Sequence, residues 1–264
     1  MPIHAHVHRK KKELPALVLV HGLGSAGNIW KLLLKGLENY FVVYALDLPG
    51  HGIAPLDENE ALDPKAMASA LTQYLDQEHG VKEFHIAGNS LGAWIALETA
   101  AMFPDRVRSV TALAPAGLWE GGPTTKYPPT IVARILAKIS QYFLRVAYRT
   151  PPLKAVGYKK ITHLWRDLSY ETCKDSVLAM AHSIGFMPMW RQLKLKNFSS
   201  KIQKSVPVSV IFGDGDLTLP NPEAQLRSRA PEHANWVVVE NCAHVIMWNY
   251  PDLTVNYIKE TALV

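Results

Sequence analysis

Short, uninterrupted runs of branched aliphatic residues recur along the chain, and most of them end in a glycine-rich turn. The runs lie at residues 17–20, 41–46, 84–87, 107–113, 206–212 and 236–239. A strand buried on both faces of a sheet lacks polar alternation, so each run predicts a strand of a parallel sheet. Residues 3–8 instead alternate with three histidines, which predicts a half-exposed edge strand.

Stretches with helical spacing of apolar side chains separate these runs. Residues 64–78 predict one helix, and residues 93–101 and 254–261 predict two more. Strands that alternate with helices are typical of an α/β protein. The pattern therefore predicts a mostly parallel sheet with helices covering both of its faces.

Residues 118–205 lie between the strand runs at 107–113 and 206–212. They show much helical spacing of apolar residues and no strand-like alternation. This pattern predicts a helical cap inserted between two parts of an α/β core, residues 1–117 and 206–264. Within the cap, residues 131–148 predict one basic amphipathic helix, whose apolar face we expect to cover a substrate pocket or the core. The large apolar cap residues that we take as pocket candidates are Trp165, Phe186, Met187 and Trp190.

Charge is divided unevenly between the predicted cap and core. The chain carries a net charge of +5, but residues 118–205 hold 15 Lys or Arg and 4 Asp or Glu. Such a basic segment can contact an anionic surface peripherally, although a solvated cap without a partner is the simpler interpretation. No recognised nucleic-acid-binding motif accompanies the charge, so we expect no nucleic-acid partner.

The cysteine content favours a reducing compartment. Cys173 and Cys242 are the two cysteines of the chain; they are too few for a disulfide framework and show no metal-ligand spacing. No run approaches the roughly 18 apolar residues that span a bilayer. We therefore expect a cytoplasmic protein.

Ser90 is the candidate nucleophile. It stands where the strand run at 84–87 gives way to a helical stretch, with Gly88 two residues before it and Gly92 two residues after it. A serine hydroxyl needs exposure, a base and oxyanion donors before it attacks a carbonyl. A tight strand-to-helix turn flanked by glycines supplies the exposure.

Candidate partners of Ser90 follow later strand runs. His244 lies in the loop after the last strand and is the best candidate base, while Asp214 and Asp216 follow the preceding strand. We favour Asp216 as the acid and assign Asp214 to the tight turn. The backbone amides of Leu23, in a glycine loop, and Leu91, directly after the serine, are the candidate oxyanion donors.

These motifs together resemble the α/β-hydrolase fold superfamily along nearly the whole chain. Its signatures are matched in order by His21-Gly22-Leu23-Gly24, Asp47-Leu48-Pro49-Gly50-His51-Gly52, Gly88-Asn89-Ser90-Leu91-Gly92, Gly213 to Pro220 and Ala243-His244. The resemblance implies an inserted cap at about 118–205 and a Ser90, Asp216 and His244 triad. A serine at this turn argues against the dehalogenase and epoxide hydrolase branches, whose nucleophile is aspartate.

The resemblance implies a serine hydrolase that cleaves carboxylic esters of small or medium apolar substrates and needs no metal or organic cofactor. A carbon–carbon bond hydrolase acting on vinylogous diketones is an alternative, because Gly88-Asn89-Ser90-Leu91-Gly92, together with Cys242-Ala243-His244 and Trp248 four residues later, is similar to those enzymes. Trp248 thereby joins the pocket candidates. An acyltransferase and a non-enzymatic protein that binds membrane surfaces through its basic cap are further alternatives.

Overall fold

A seven-stranded sheet forms the centre of the computed structural model, which describes residues 2–122 and 131–263; residues 123–130 of the predicted cap lie outside this description. The strands are β1 (His4–His8), β2 (Ala16–Val20), β3 (Val42–Asp47), β4 (Phe84–Asn89), β5 (Val107–Leu113), β6 (Val208–Gly213) and β7 (Asn235–Val239). They lie in the order β1-β3-β2-β4-β5-β6-β7. Only β1 is antiparallel to its neighbour, so the predicted mostly parallel sheet is confirmed.

Helices cover both faces of the sheet, as predicted. They are α1 (Lys31–Leu37), α2 (Pro64–His79), α3 (Leu91–Met102), α4 (Ile131–Ser140), α5 (Leu144–Arg149), α6 (Pro151–Tyr158), α7 (Tyr170–His182), α8 (Phe186–Leu193), α9 (Ile246–Asn249) and α10 (Pro251–Ala262). Strand β2 shows the packing: Val18 and Val20 join the core under α2 and α3, while Leu17 and Leu19 join the core under α1 and α10. Successive side chains point to opposite faces of a strand, so a strand covered twice is apolar throughout.

Local sequence sets the ends of α2. Asp63 accepts hydrogen bonds from the backbone N–H groups of Lys65 and Ala66, and Pro64 occupies the first turn. Gly80 ends the helix in the left-handed conformation. An N-terminal acceptor side chain and a C-terminal glycine are the strongest helix boundary signals in a sequence.

The predicted single helix at 131–148 is wrong. Helix α4 ends at Ser140, a 3₁₀ turn spans Gln141–Phe143, and α5 follows. The side chain of Gln141 donates to the carbonyl of Lys138 in the last turn of α4, and such local hydrogen bonds compete with helix continuation.

The expected burial of the apolar face of this segment is also wrong. Helix α4 packs against α7, and Ala137 is the residue of α4 that is buried. The aliphatic side chains of α4 lie on the opposite, solvent-exposed side, with Ile135 54 % and Ile139 57 % exposed. Within the described ranges no helix has both the length and the hydropathy to cross a membrane.

Candidate active site

Ser90 lies in a strained turn between β4 and α3. Its backbone has φ 57° and ψ −117°, a conformation that non-glycine residues adopt rarely and that concentrates at functional sites. The backbone holds this turn from both sides, because Ser90 N–H donates to Leu113 and the Ser90 carbonyl accepts from Ala116. The side chain is partly exposed between buried neighbours.

The two flanking glycines are required by close backbone contacts. A Cβ atom at Gly88 would lie 2.2 Å from the Gly92 carbonyl oxygen, and one at Gly92 would lie 2.1 Å from the carbonyl oxygen of Val20. Both distances are far below van der Waals contact. The sequence spacing thus reflects the packing of α3 directly against β2 and β4.

Asp216 and His244 meet in the loops that follow β6 and β7. Oδ2 of Asp216 lies 2.7 Å from Nδ1 of His244, and both side chains are buried. Oδ1 of Asp216 accepts the backbone N–H groups of Thr218 and Leu219 at 2.8 and 2.9 Å. These two donors fix the carboxylate so that its second oxygen faces the imidazole.

Asp214 has a separate role in the same loop. Its carboxylate accepts the backbone N–H groups of Asn241 and Cys242, each at 3.1 Å. Partial desolvation opposes ionisation, but the hydrogen bonds from Cys242, Asn241 and Gly215 outweigh it and hold the pKa of Asp214 below its usual value. Asp214 therefore ties the loop after β6 to the loop after β7, and does not contact the imidazole of His244.

Asn89 connects the serine turn to the histidine loop. Its side-chain amide donates to the backbone carbonyls of Leu113 and His244, each at 3.2 Å. Among the described residues no hydrogen bond joins Ser90 Oγ to His244 Nε2. Catalytic hydrogen bonds of unliganded enzymes are commonly long and shorten when substrate binds.

The two predicted oxyanion amides belong to segments that adjoin the serine. Leu91 begins α3, where the N–H groups of a helix have no partner within the helix. The loop that carries Leu23 approaches the serine closely, because a Cβ atom at Gly22 would lie 3.1 Å from Ser90 Cβ. The next residue, Gly24, has φ +77° and turns the chain away from β2.

Two buried histidines hold this loop in place. His51 Nε2 accepts the N–H of Gly24 at 3.1 Å, while its Nδ1 lies 3.0 Å from the carbonyl oxygen of Pro49. His21 forms the reciprocal bridge, since its Nε2 accepts the N–H of Leu48 and its Nδ1 contacts the carbonyl oxygen of Gly22. Each ring must be neutral to accept a hydrogen bond on Nε2.

Burial enforces that neutral state. Desolvation lowers the pKa of His51 to about 3, with a smaller contribution from the neighbouring His21, and desolvation also lowers the pKa of His21. The ring centroids lie 5.2 Å apart. The pair thus connects the loop after β2 to the loop after β3 without placing a charge beside the serine.

Asp47 braces the same region. Its carboxylate accepts the N–H groups of Gly27 at 2.7 Å and Ile53 at 3.0 Å, and it contacts His6 of β1 at 2.9 Å. A Cβ atom at Gly52 would overlap this carboxylate, which explains the glycine there. Asp47 is therefore a structural residue.

Residues of the helical segment between β5 and β6 pack against the loops that follow β2 and β3. Phe186 is completely buried and lies with Met180 against Gly24, where an added Cβ atom would contact both side chains within 2.9 Å. Gly185 donates its N–H to the carbonyl of Gly50 at 3.0 Å. Phe186 thus lies beside the loop that carries Leu23, and its place in a substrate pocket stays a prediction. Met180 lies there too, and its position in α7 carries no sequence signal that would have indicated this contact.

The other pocket candidates lie at different places. Trp165 and Trp248 are buried in the core under α1 and α10, and Trp248 donates its indole N–H to the carbonyl of Ile29. Trp190 is buried and Met187 is half-buried on α8. Phe186 thus lies next to the loop of Gly22, Leu23 and Gly24, which we call the oxyanion loop because it carries the predicted oxyanion amide of Leu23. Trp165 and Trp248 have the surroundings of ordinary core residues.

Neither cysteine has the environment of a reactive thiol. Desolvation, with the nearby carboxylates of Asp214 and Asp216, raises the pKa of Cys242 to about 12, and desolvation raises the pKa of Cys173. The described residues also contain no group of His, Cys, Asp and Glu side chains arranged to hold a metal ion.

Comparison with known proteins gives consistent results along the chain. Residues 17–256 match the model of the alpha/beta hydrolase family. The monoacylglycerol lipase ABHD6 of Bos taurus is 22 % identical over 254 residues, which cover 91 % of this chain and 73 % of that protein. A pimeloyl-[acyl-carrier protein] methyl ester esterase of Neisseria meningitidis is 27 % identical over 252 residues, which cover 89 % of this chain and 90 % of that protein.

A solved structure shows the same fold at low identity. The crystal structure of the enol-lactonase from Burkholderia xenovorans LB400 superposes with a TM-score of 0.77 at 16 % identity, covering 99 % of this chain and 96 % of that one. At this identity the likeness concerns the arrangement of the sheet and helices alone.

Proposed function

Because the chain belongs to the alpha/beta hydrolase family and is a serine hydrolase of the esterase or lipase type, we propose that it hydrolyses carboxylic esters with Ser90 as nucleophile, His244 as base and Asp216 as acid. The observation that carries the proposal is the 2.7 Å contact between Asp216 and His244, which Asn89 ties to the strained turn of Ser90. In this proposal the predicted cap, residues 118–205, covers the site through its described residues, among them Phe186.

In the first step, His244 Nε2 accepts the proton of Ser90 Oγ while the oxygen attacks the ester carbonyl carbon. The Asp216 carboxylate, bonded to Nδ1, selects the tautomer with a free Nε2 and stabilises the imidazolium that forms. The carbonyl oxygen becomes an oxyanion, which accepts hydrogen bonds from the amides of Leu23 and Leu91. Donors fixed before the reaction stabilise this charge without reorganising.

The tetrahedral intermediate collapses when the imidazolium gives its proton to the leaving alcohol oxygen, and an acyl-enzyme on Ser90 remains. Water then repeats the sequence: His244 accepts its proton, the oxyanion forms again in the same place, and Ser90 leaves with the proton. His51 and His21 take no part in these transfers. They hold the Leu23 amide in position through the loop that they bridge.

Apolar side chains at the site favour an apolar acyl or alcohol group of small or medium size. Phe186 and Met180 lie against the oxyanion loop, and we propose that they line the substrate pocket together with Met187 and Trp190 of α8. Two relatives are named for ester substrates, a monoacylglycerol and a pimeloyl methyl ester, which supports ester cleavage. Carbon–carbon bond cleavage and acyl transfer use the same residues and are distinguished by the substrate.

A substrate panel tests the proposal. The protein is assayed with p-nitrophenyl esters of increasing acyl length and with a dienol diketone, beside Ser90→Ala and the exposed-serine control Ser199→Ala. We expect ester turnover that Ser90→Ala abolishes and Ser199→Ala retains. Turnover that survives Ser90→Ala in folded protein contradicts the nucleophile assignment, and consumption of the diketone without ester turnover contradicts the substrate class.

A further inference from the structure

The outer side of the cap carries a concentrated set of exposed apolar side chains. Nine of the 21 large apolar residues that the described part of the chain exposes lie between residues 132 and 156. In and just after α4 they are Val132, Ile135, Leu136, Ile139, Tyr142 and Phe143; we call these six residues the apolar cap surface. Tyr142 and Phe143 are the most exposed, at 78 % and 63 %.

Their spacing shows that the exposure belongs to the helix and is not scattered. Residues 132, 135, 136 and 139 follow the i, i+3, i+4, i+7 pattern of a single helical stripe. The other side of α4 packs on α7 through Ala137. Helix α5 also packs on α7, so its exposed side likewise faces away from the protein. An amphipathic helix in water normally buries its apolar stripe, and α4 does the opposite.

Unpaired positive charge surrounds this stripe. Residues 131–160 contain seven Lys or Arg and no Asp or Glu. The exposed ones are Lys138, Arg145, Arg149, Lys159 and Lys160, and within the described residues none of them forms an ion pair. Lys138 lies on the flank of the stripe and Arg145 follows Phe143 by two positions.

The geometry points to a membrane-docking site: the apolar cap surface inserts at the acyl boundary of an anionic lipid bilayer while the flanking cations contact the headgroups. Interfacial helices combine an apolar side with Lys and Arg in this way. A second copy of the chain fits less well, because a symmetric contact places the same cations opposite one another. An acidic protein satisfies the cations but leaves the aliphatic stripe without a matching partner.

Docking brings the bilayer close to the site that the cap covers. Arg134 of α4 lies with its guanidinium carbon 5.9 Å from the centroid of the Phe186 ring, and Phe186 contacts Gly24 of the oxyanion loop. Helix α4, which carries the apolar cap surface, is therefore connected to the oxyanion loop through the side chains of Arg134 and Phe186. Binding itself does not depend on the proposed esterase activity, so the two are tested separately.

Vesicle co-sedimentation tests the site, with Ser90→Ala as the background so that no lipid is consumed. The probes are vesicles of phosphatidylcholine with and without phosphatidylglycerol. We expect binding to the anionic vesicles only. Lys138→Gln/Arg145→Gln should lower the partition coefficient roughly 30-fold, because each cation near an anionic surface contributes about 1 kcal/mol. Ile135→Ser/Ile139→Ser should lower it by more than about tenfold.

Matched controls come from exposed residues outside the cap. Leu32→Ser/Leu253→Ser removes two exposed helical leucines, and Lys35→Gln/Lys65→Gln removes two exposed lysines. We expect both to bind as the parent does. If the control variants lost as much of the partition coefficient as the cap variants, binding would not depend on the apolar cap surface, and the proposal would be overturned. Circular dichroism establishes that each variant is folded.

Insertion is read out at single positions, because the two native cysteines are buried. An environment-sensitive fluorophore on Ile139→Cys should shift to the blue with anionic vesicles, and the same fluorophore on Leu32→Cys should not. Absence of the shift at Ile139→Cys overturns the proposal. Concentration-dependent dimerisation without vesicles that Ile135→Ser/Ile139→Ser abolishes would also overturn the proposal, because it would assign the surface to a second copy of the chain. Binding to an acidic protein in place of lipid would overturn it as well.

Discussion

Replacing His51 by glutamine should make the folded protein less sensitive to acid. His51 is fully buried and neutral, with a pKa of about 3, whereas the same side chain in the unfolded chain titrates near 6.5. Between these values the unfolded state binds a proton that the folded state does not bind. The free energy of unfolding therefore decreases as pH falls through this range, and the full contribution of the neutral ring is present only above pH 6.5.

The magnitude follows from that difference. Each pH unit in the range costs about 1.4 kcal/mol per histidine, so moving from pH 7 to pH 5 lowers the free energy of unfolding by about 2 kcal/mol through His51. His21 acts in the same direction, because its pKa is also lowered by burial. His51→Gln removes only the first contribution. The glutamine amide can still accept from the N–H of Gly24 and donate to the carbonyl of Pro49. Because these hydrogen bonds are imperfect, we expect the free energy of unfolding at pH 7 to fall by about 1–3 kcal/mol.

Urea unfolding followed by circular dichroism at pH 7 and pH 5 measures the effect. The stability difference between the parent and His51→Gln should shrink by about 2 kcal/mol at the lower pH. His182→Gln, at an exposed position, serves as the matched histidine control. A difference between parent and His51→Gln that is the same at both pH values would refute the neutral, buried state assigned to His51.

Four further substitutions probe the site and its supports. Asp216→Asn should lower kcat for an ester about 10⁴-fold. The carboxylate of Asp214 accepts backbone amides, so Asp214→Asn should lower thermal stability and keep most of the activity. Equal losses of kcat in the two variants would contradict the assignment of roles. Gly92→Ala should yield no folded protein, because its Cβ atom would lie 2.1 Å from the Val20 carbonyl oxygen, and a native circular dichroism spectrum would refute this. Lys154→Met leaves the backbone carbonyls of Arg166 and Leu168 without their donor, so it should lower the free energy of unfolding in denaturant by about 2 kcal/mol. An unchanged unfolding midpoint would contradict this.

The sheet and the serine turn could be predicted because their signals are local. An apolar run such as Leu17 to Val20 is buried on both faces wherever its neighbours lie, and the glycines around Ser90 are required by backbone contacts within the turn. The boundaries of α2 follow from Asp63 and Gly80 for the same reason. Sequence spacing favours Asp216 over Asp214 as the acid, and in the structure it is Asp216 that hydrogen-bonds to His244.

The cap could not be predicted in this way. Periodicity identifies the apolar stripe of α4, but whether that stripe meets the core or the solvent depends on which side of α4 contacts α7. The role of His51 also depends on a contact between two loops that are 27 positions apart in sequence. Met180 reaches Gly24 from a helix more than a hundred residues later in the chain, and no feature of its neighbours in sequence indicates this contact.

The reactivity of Ser90 tests the proposed mechanism most directly. The folded protein and His244→Ala are treated with a fluorophosphonate probe, the labelling rate is measured, and the labelled peptide is identified by mass spectrometry. The account predicts a single label on Ser90 whose formation is strongly slowed in His244→Ala, because the probe reacts with a serine activated by a base. A label on another serine, or an equal labelling rate of Ser90 in His244→Ala, would contradict it.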